Sequence, residues 1–158
     1  MTSKTANTNT TLAAFNQEIR AKIPVVAALG IEFTQFAPNQ VKLKVQFEPN
    51  RNHVNTVFGG SLYSACALAC YGLFRAMAES SGFTEDFLVI QEGDIKYRKP
   101  VTGDFEVIAD PQAHLDLTKF LESVQRQKKG RLPLEARVLQ NGQECALFTG
   151  IYVMRIPN

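Results

Sequence analysis

Residues 62–74 read LYSACALACYGLF and are apolar or small on every side of a helix, with no polar stripe. No proline occurs from Val57 to Glu79, and Arg75 is the only charged side chain before Glu79. A helix that is apolar all round either crosses a membrane or is enclosed by other parts of the protein. Crossing requires about 20 predominantly apolar residues, more than this run provides. We therefore expect an enclosed helix over Phe58–Ala78.

Segments on both sides of this helix alternate apolar and polar residues with the period of a half-buried strand. A first hairpin is predicted to start at Gly30 and to turn at Pro38-Asn39. Two further strands are predicted at Phe87–Arg98 and Phe105–Asp110. A final hairpin is predicted from the strands Arg131–Gln140 and Gln143–Arg155, which meet in a turn at Asn141-Gly142. Helical spacing predicts an edge-covering helix at Leu12–Ile23 and a second short helix with Leu117, Phe120, Leu121 and Val124 on one face and Gly130 as its C-cap.

The order of these elements predicts the fold class. An antiparallel sheet has to bury one of its faces, and residues 58–78 form the only element apolar enough to occupy the concave side. We therefore expect an α+β domain in which a curved antiparallel sheet of about six strands wraps around one long central helix.

The composition is that of an ordinary globular domain. The 158 residues fit one domain, and 45% hydrophobic with 20% charged residues exclude intrinsic disorder. A net charge of +2 is too small to indicate nucleic-acid binding. Three cysteines favour a reducing compartment, so we predict a cytoplasmic protein with free thiols and no membrane partner. Residues 1–11 contain five threonines and no apolar run, which predicts a disordered leader before a domain at 12–158.

Two motifs carry a resemblance to a known family. The segment NHVNTVFGGSLYS at residues 52–64 closely resembles the YiiD-type thioesterase domain, and KYRKPVTGD at residues 96–104 is similar to a strand and turn shared by hotdog-fold thioesterases. The resemblance covers residues 12–156 and implies the hotdog fold. In bacteria this domain is often the C-terminal half of a protein whose other half is a GNAT acetyltransferase. That half is not expected here, because the nearest match to its phosphate loop, at 127–132, ends in leucine.

The resemblance implies hydrolysis of acyl-CoA or acyl-carrier-protein thioesters in a tunnel at a subunit interface, without a cofactor. It also implies a homodimer at least, with a tetramer as the alternative, because the long strand 87–98 would otherwise leave an unpaired edge. Two other hypotheses stay open. One is a module that binds or senses acyl-CoA without turnover, and the other is a partner subunit for a separate acetyltransferase.

Gly59 and Gly60 stand where the central helix is expected to begin. The first N–H groups of a helix are unpaired and carry about half a positive charge, and glycine lets a carbonyl group approach the backbone closely. The pair therefore predicts an oxyanion hole for a thioester carbonyl. Tight helix entry and close packing are the structural alternative.

The general base departs from the pattern of the hotdog thioesterases. Many of them carry a histidine immediately before the two glycines and an acidic residue nine positions after that histidine, and these positions hold Phe58 and Ala67 here. Neither side chain can move a proton. The dehydratase branch of the fold needs a carboxylate on the helix and is disfavoured, because no Asp or Glu occurs between Val57 and Ala78.

Other residues are therefore candidates for orienting the water. His53 and Asn55 lie in the loop before the helix, with surface exposure and turn formation as their structural alternatives. Asp94 shares a strand face with Glu92, and paired carboxylates can raise one pKa towards a basic role. A solvated strand face is the alternative for both. Ser64 as a nucleophile would need an adjacent base that the sequence does not provide, so a hydrogen bond back to the helix is favoured.

Substrate contacts are predicted for the aromatic residues and cations around the glycines. Phe58 and Tyr63 flank the pair, and Lys96, Arg98 and Lys99 are candidate anchors for CoA phosphates. A second basic cluster comprises Arg126, Lys128, Lys129 and Arg131, and the end of a helix attracts such cations for its own sake. Cys66 and Cys70 are assigned to the core, because no histidine or third cysteine is placed to complete a metal site with them.

Overall fold

The computed structural model describes residues 10–83 and 87–157. The helices are α1 (Leu12–Lys22), α2 (Val25–Ala28), α3 (Gly59–Ser80) and α4 (Leu117–Gln127), with a 3-10 turn at Glu48–Asn50. The strands are β1 (Ile31–Ala37), β2 (Gln40–Val45), β3 (Phe87–Tyr97), β4 (Phe105–Asp110), β5 (Lys129–Gln140) and β6 (Gln143–Arg155).

Six strands form one antiparallel sheet in the order β1-β2-β4-β5-β6-β3, and α3 packs against every one of them. Thirteen of the 22 residues of α3 are buried, among them Cys66, Leu73 and Phe74. The inward residues of the strands complete the core, as Leu43, Leu134 and Phe148 illustrate with side chains that are almost fully buried. The predicted α+β architecture, a curved sheet around one enclosed helix, is confirmed.

Helix α1 covers the free edge of β1, as expected. The side-chain amide of Asn16 donates to the Phe33 carbonyl and accepts from the Phe33 N–H, both at 2.9 Å. Phe15 packs edge-on against the Phe33 ring with 4.8 Å between centroids. This end of the sheet is therefore closed to further strand pairing around Phe33.

Of the leader expected at residues 1–11, residues 1–9 lie outside the described residues. Thr10 and Thr11 are described, and both make hydrogen bonds. Thr10 donates through its backbone N–H and its hydroxyl to the Glu79 carboxylate, and Thr11 caps α1 by accepting from Ala14 N at 3.2 Å. None of the described helices is long and apolar enough to cross a membrane.

The end of α4 differs from the prediction. Lys128 takes the left-handed conformation at the C-cap, with φ at 58°, and the strand starts at Lys129 rather than Arg131. Gly130 lies in β5, where Phe120 and Val124 pack so closely on its backbone that a Cβ would overlap them. The glycine is therefore needed for the packing of α4 on the sheet, and its assignment as a C-cap was wrong.

Candidate active site

Two unpaired amide groups stand at the start of α3. The carbonyl of Phe58 accepts from Ser61 N at 2.9 Å and from Leu62 N at 3.2 Å, and no side chain caps the helix. Among the described residues, no acceptor pairs with the N–H of Gly59 or Gly60. These two donors and the positive end of a 22-residue helix point at the same place. A carbonyl oxygen that develops negative charge would be stabilised there.

The approach to α3 is fixed by backbone bonds to two other segments. Val57 N donates to Val101 O at 2.8 Å, and Phe58 N donates to Asn50 O at 2.7 Å. Asn50 is almost fully buried, and its side-chain amide donates at 2.7 Å to the carbonyls of Leu29 and Gln46. The entry of α3 is therefore held by the body of the domain and not only by the preceding loop.

The loop before the helix is ordered by Asn52. Its Oδ1 accepts from the N–H groups of Val54 and Thr56, both at 3.0 Å, and its Nδ2 donates to the Thr56 hydroxyl at 2.8 Å. Asn55 is exposed and left-handed, with φ at 60°. Its Oδ1 accepts from Arg51 Nη1 at 3.2 Å, so its Nδ2 is the end that can donate to a ligand. His53 is exposed in the same loop.

A cleft of about 340 Å³ opens beside the start of α3. Its lining comprises Thr56, Val57, Gly59, Leu62, Tyr97, Arg98, Lys99, Pro100 and Val101. The Tyr97 hydroxyl donates to Gly59 O at 2.9 Å, and partial burial raises the pKa of Tyr97 above its ordinary value. The cleft thus joins the helix start to two cations of the predicted phosphate anchor, Arg98 and Lys99.

The side chains that flank the two glycines in sequence, those of Phe58, Tyr63 and Ser64, make different contacts. The Phe58 side chain is 60% exposed, and its ring lies over the backbone of Gly60. Tyr63 is half-buried and packs edge-on against Phe148, with 5.1 Å between centroids. Ser64 is exposed and donates to Gly60 O at 2.8 Å, the back-bond to the helix that the sequence favoured. Of the three side chains, only that of Phe58 lies against Gly60, whereas Tyr63 packs between α3 and β3.

Asp94 is not brought to the start of α3 within the chain. Gly93 faces α3, because a Cβ built on it would overlap Tyr63, and neighbouring residues of a strand point to opposite faces. Asp94, paired with Thr149, therefore points away from the helix. Glu92 and Lys96 share that outer face with it for the same reason. Alternation correctly predicted that Glu92 and Asp94 share a face, but not which face meets the helix.

The cations of the two predicted phosphate-binding clusters lie in different parts of the domain. Arg98 forms an ion pair with Glu144 at 2.7 Å, whereas Lys99 has no ion-pair partner among the described residues. Lys129 and Arg131 line a separate cavity of about 580 Å³ beside α4. In the sheet register, Lys129 of β5 lies opposite Arg155 of β6, and Arg155 lies opposite Phe87 at the start of β3. This cavity is therefore near the end of the sheet opposite to Tyr97. Within one chain, the second basic cluster and the helix start do not form one site.

The cysteines belong to the core, as predicted. Cys66 and Cys70 are fully buried on α3 as free thiols, and burial raises the pKa of the Cys66 thiol to about 12. Sequence reasoning missed Tyr97 as a residue of the site. The alternation Gly93, Ile95, Tyr97 groups these residues on one strand face, but only the contact of Gly93 with Tyr63 shows that this face meets the helix.

A six-stranded antiparallel sheet around a central helix that begins beside a cleft is the architecture of the hotdog class of thioesterase folds. The chain belongs to the family described as "Putative thioesterase (yiiD_Cterm)", whose model matches residues 12–156. The resemblance seen in the two motifs is thereby confirmed over the same span.

Solved structures share this fold over nearly the whole chain. A protein of unknown function from Chlorobaculum tepidum TLS is 26% identical, with a TM-score of 0.85 over 92% of this chain and 94% of that chain. The putative thioesterase from Shewanella oneidensis is also 26% identical, with a TM-score of 0.78 over 92% of this chain and 97% of that chain. A thioesterase from Haemophilus influenzae is 11% identical and has a TM-score of 0.73 over 96% of each chain, a likeness of fold.

Proposed function

We propose that this protein hydrolyses acyl thioesters of coenzyme A or of an acyl carrier protein. The observation that supports this most is the pair of N–H groups at Gly59 and Gly60, which have no acceptor among the described residues and stand at the helix start where Gly59 lines a cleft. A carbonyl oxygen seated on them gains negative charge as water attacks. Each well-placed donor of this kind contributes about 2.7–4 kcal/mol to the transition state.

In the proposed reaction, a water oxygen bonds to the thioester carbon and the carbon–sulfur bond then breaks. The products are a carboxylic acid and a thiol, and the water supplies the proton that the leaving sulfur takes up. Asn55 is proposed to hold the water or the carbonyl through its Nδ2, because Arg51 already occupies its Oδ1. His53, in the same loop, is the proposed proton acceptor.

Substrate contacts are proposed for the aromatic residues and cations that the structure keeps near the helix start. Phe58 and Tyr63 would contact the acyl group, and Lys99 with Arg98 would hold phosphate groups of coenzyme A at the rim of the cleft. Asp94 and Lys96 have no part in this proposal, because they lie on the outer face of the sheet.

The edge strand β3 supports a homodimer as the working form. Its outer edge has no partner strand within residues 10–83 and 87–157, and both of its faces are largely exposed. Phe87 is 57% and Tyr97 55% exposed, a large apolar surface for a lone edge. We propose that two copies pair along β3 in an antiparallel manner, which would bring a second chain next to the cleft. The three buried free thiols support a location in a reducing compartment.

The test is release of free thiol from acyl-CoA substrates between acetyl and palmitoyl chain lengths. Gly60→Ala adds a methyl group that overlaps the Phe58 ring, and the displaced ring and the methyl group crowd the Gly60 amide, so kcat is expected to fall by about 10- to 100-fold. Gly103→Ala is the matched control, because its Cβ would meet only Gln140 Nε2, at 3.2 Å, and kcat should stay at the wild-type value. Absence of thiol release at every chain length would refute the hydrolase.

An acyl-CoA binding module without turnover is the second candidate. It is favoured by Phe58 and Ala67, which occupy the positions of the usual histidine and acid of hotdog thioesterases. Calorimetric titration with the same acyl-CoA series distinguishes the two functions. Micromolar binding without release of thiol supports the binding module, and release of thiol excludes it.

A further inference from the structure

Tyr97 joins the edge strand to the start of the central helix. It is the last residue of β3, and its hydroxyl donates to the carbonyl of Gly59, 38 residues away, at 2.9 Å. The ring packs onto the same glycine: a Cβ on Gly59 would lie 3.2 Å from the hydroxyl oxygen and 3.3 Å from Cζ. A Cβ at position 59 would therefore be in tight contact with the ring, which would have to shift by a few tenths of an ångström to admit it.

The bonded carbonyl and the next amide belong to one peptide group. The carbonyl of Gly59 and the N–H of Gly60 are conjugated across a planar bond. A hydrogen bond that is accepted by the oxygen draws electron density from the nitrogen, and linked hydrogen bonds strengthen one another by about 10–30%. The Gly60 N–H, unpaired among the described residues, is thus the opposite end of the peptide that Tyr97 bonds.

We propose that Tyr97 is a positioning residue that orients and polarises the Gly59–Gly60 peptide, and that it promotes thioester hydrolysis through the Gly60 N–H. This role rests on the proposed function. Tyr97 acts on the backbone donor and not on the reacting atoms. The Tyr97 hydroxyl donates to the carbonyl end of this peptide from outside the helix, and the N–H end, that of Gly60, has no acceptor among the described residues.

The test is Tyr97→Phe, which keeps the ring and removes the hydroxyl. The tyrosine hydrogen bond is expected to strengthen the Gly60 donor by about 10–30% of the transition-state stabilisation that one oxyanion donor supplies. Without the hydroxyl, kcat is therefore expected to fall about two- to eightfold. KM should change less than twofold, since the effect is confined to the transition state. In an amide proton–nitrogen NMR spectrum without substrate, the Gly60 amide proton should move upfield.

Tyr152→Phe is the matched control. The Tyr152 hydroxyl also donates to a carbonyl of α3, that of Ala67, at 2.7 Å. Its loss removes an equivalent bond to the same helix and is expected to lower stability, but it does not touch the Gly59–Gly60 peptide. The Gly60 resonance and kcat should therefore stay at their wild-type values in this variant.

The outcomes separate the possible roles. An unmoved Gly60 resonance in Tyr97→Phe overturns the proposal, and so does a rise in KM without a fall in kcat, because the tyrosine would then be a substrate contact. The NMR measurement needs no substrate. If the wild type releases no thiol while the Gly60 resonance moves, the proposed function and the role of Tyr97 in turnover both fail, and only the coupling to the peptide remains.

Discussion

The hydroxyl end of Tyr63 lies directly against the backbone of Gly93, so closely that a side chain at position 93 would overlap it. Tyr63 stands in the first turns of α3, and Gly93 lies in the middle of β3. The tyrosine ring also packs edge-on against Phe148 of β6. The contact therefore closes the space between the helix and the edge strand about one helical turn, some 5.4 Å, beyond the free amides.

Gly93→Ala is expected to lower the free energy of unfolding by about 1–3 kcal/mol, because the added methyl group overpacks this contact. Chemical denaturation measures the change. Adding Tyr63→Phe removes the oxygen that the methyl group overlaps, so the double variant should recover much of the loss. Equal stabilities of Gly93→Ala and the wild type would show that the tyrosine moves freely out of this position.

Tyr63→Ala is expected to shift the substrate preference towards longer acyl chains. The ring fills the space between α3 and β3 at Gly93, and its removal would open room for additional methylene groups, each worth about 1–3 kcal/mol in an apolar pocket. The ratio of kcat/KM for a long chain to that for a short chain should rise at least about tenfold. Tyr71→Ala removes a ring two turns further along α3 and should leave the ratio unchanged.

The secondary-structure elements were predictable from the sequence where a single local pattern defines them. The apolar run at 62–74 and the Asn141-Gly142 turn defined the central helix and the last hairpin, because burial and turn geometry depend on local sequence. The face of β3 that meets the helix was not predictable. It is set by the register with β6 and by the bulge between Ile90 and Glu92, which no local pattern reveals.

In the candidate site, too, the local features were predictable from the sequence and the long-range contacts were not. The helix start at Gly59 was predictable because a helix start is a local feature. The contact of Tyr97 with Gly59 joins residues 38 positions apart and depends on how the sheet curves around the helix. Such long-range neighbours follow only from the assembled fold.

Ile90→Lys is expected to convert a β3-paired dimer into a monomer. Ile90 is 38% exposed on the edge strand, and a lysine from each copy would bring like charges into the proposed interface. Light scattering at micromolar protein measures the mass. Val25→Lys is the control, because Val25 is 55% exposed but lies on α2, beside the opposite edge of the sheet. A monomeric wild type would contradict the proposed pairing.

The stability of the protein is expected to fall above about pH 9 because of two buried thiols. Burial raises the pKa of Cys66 from 9.0 to about 12, and it raises the pKa of Cys70 well above its ordinary value. The folded chain therefore keeps protons that the unfolded chain releases. Below pH 9 both states are protonated and the thiols cause no loss of stability. Above it, each such thiol lowers the free energy of unfolding by about 1.4 kcal/mol per pH unit.

Cys66→Ala isolates one of these thiols. Between pH 9 and pH 12 its free energy of unfolding should fall with a slope that is smaller than the wild-type slope by about 1.4 kcal/mol per pH unit. Ala69→Gly changes the same buried face of α3 without removing an ionisable group, so its curve should lie below that of the wild type and run parallel to it. Parallel curves for Cys66→Ala and the wild type would mean that Cys66 ionises equally easily in the folded and unfolded chains, which its complete burial opposes.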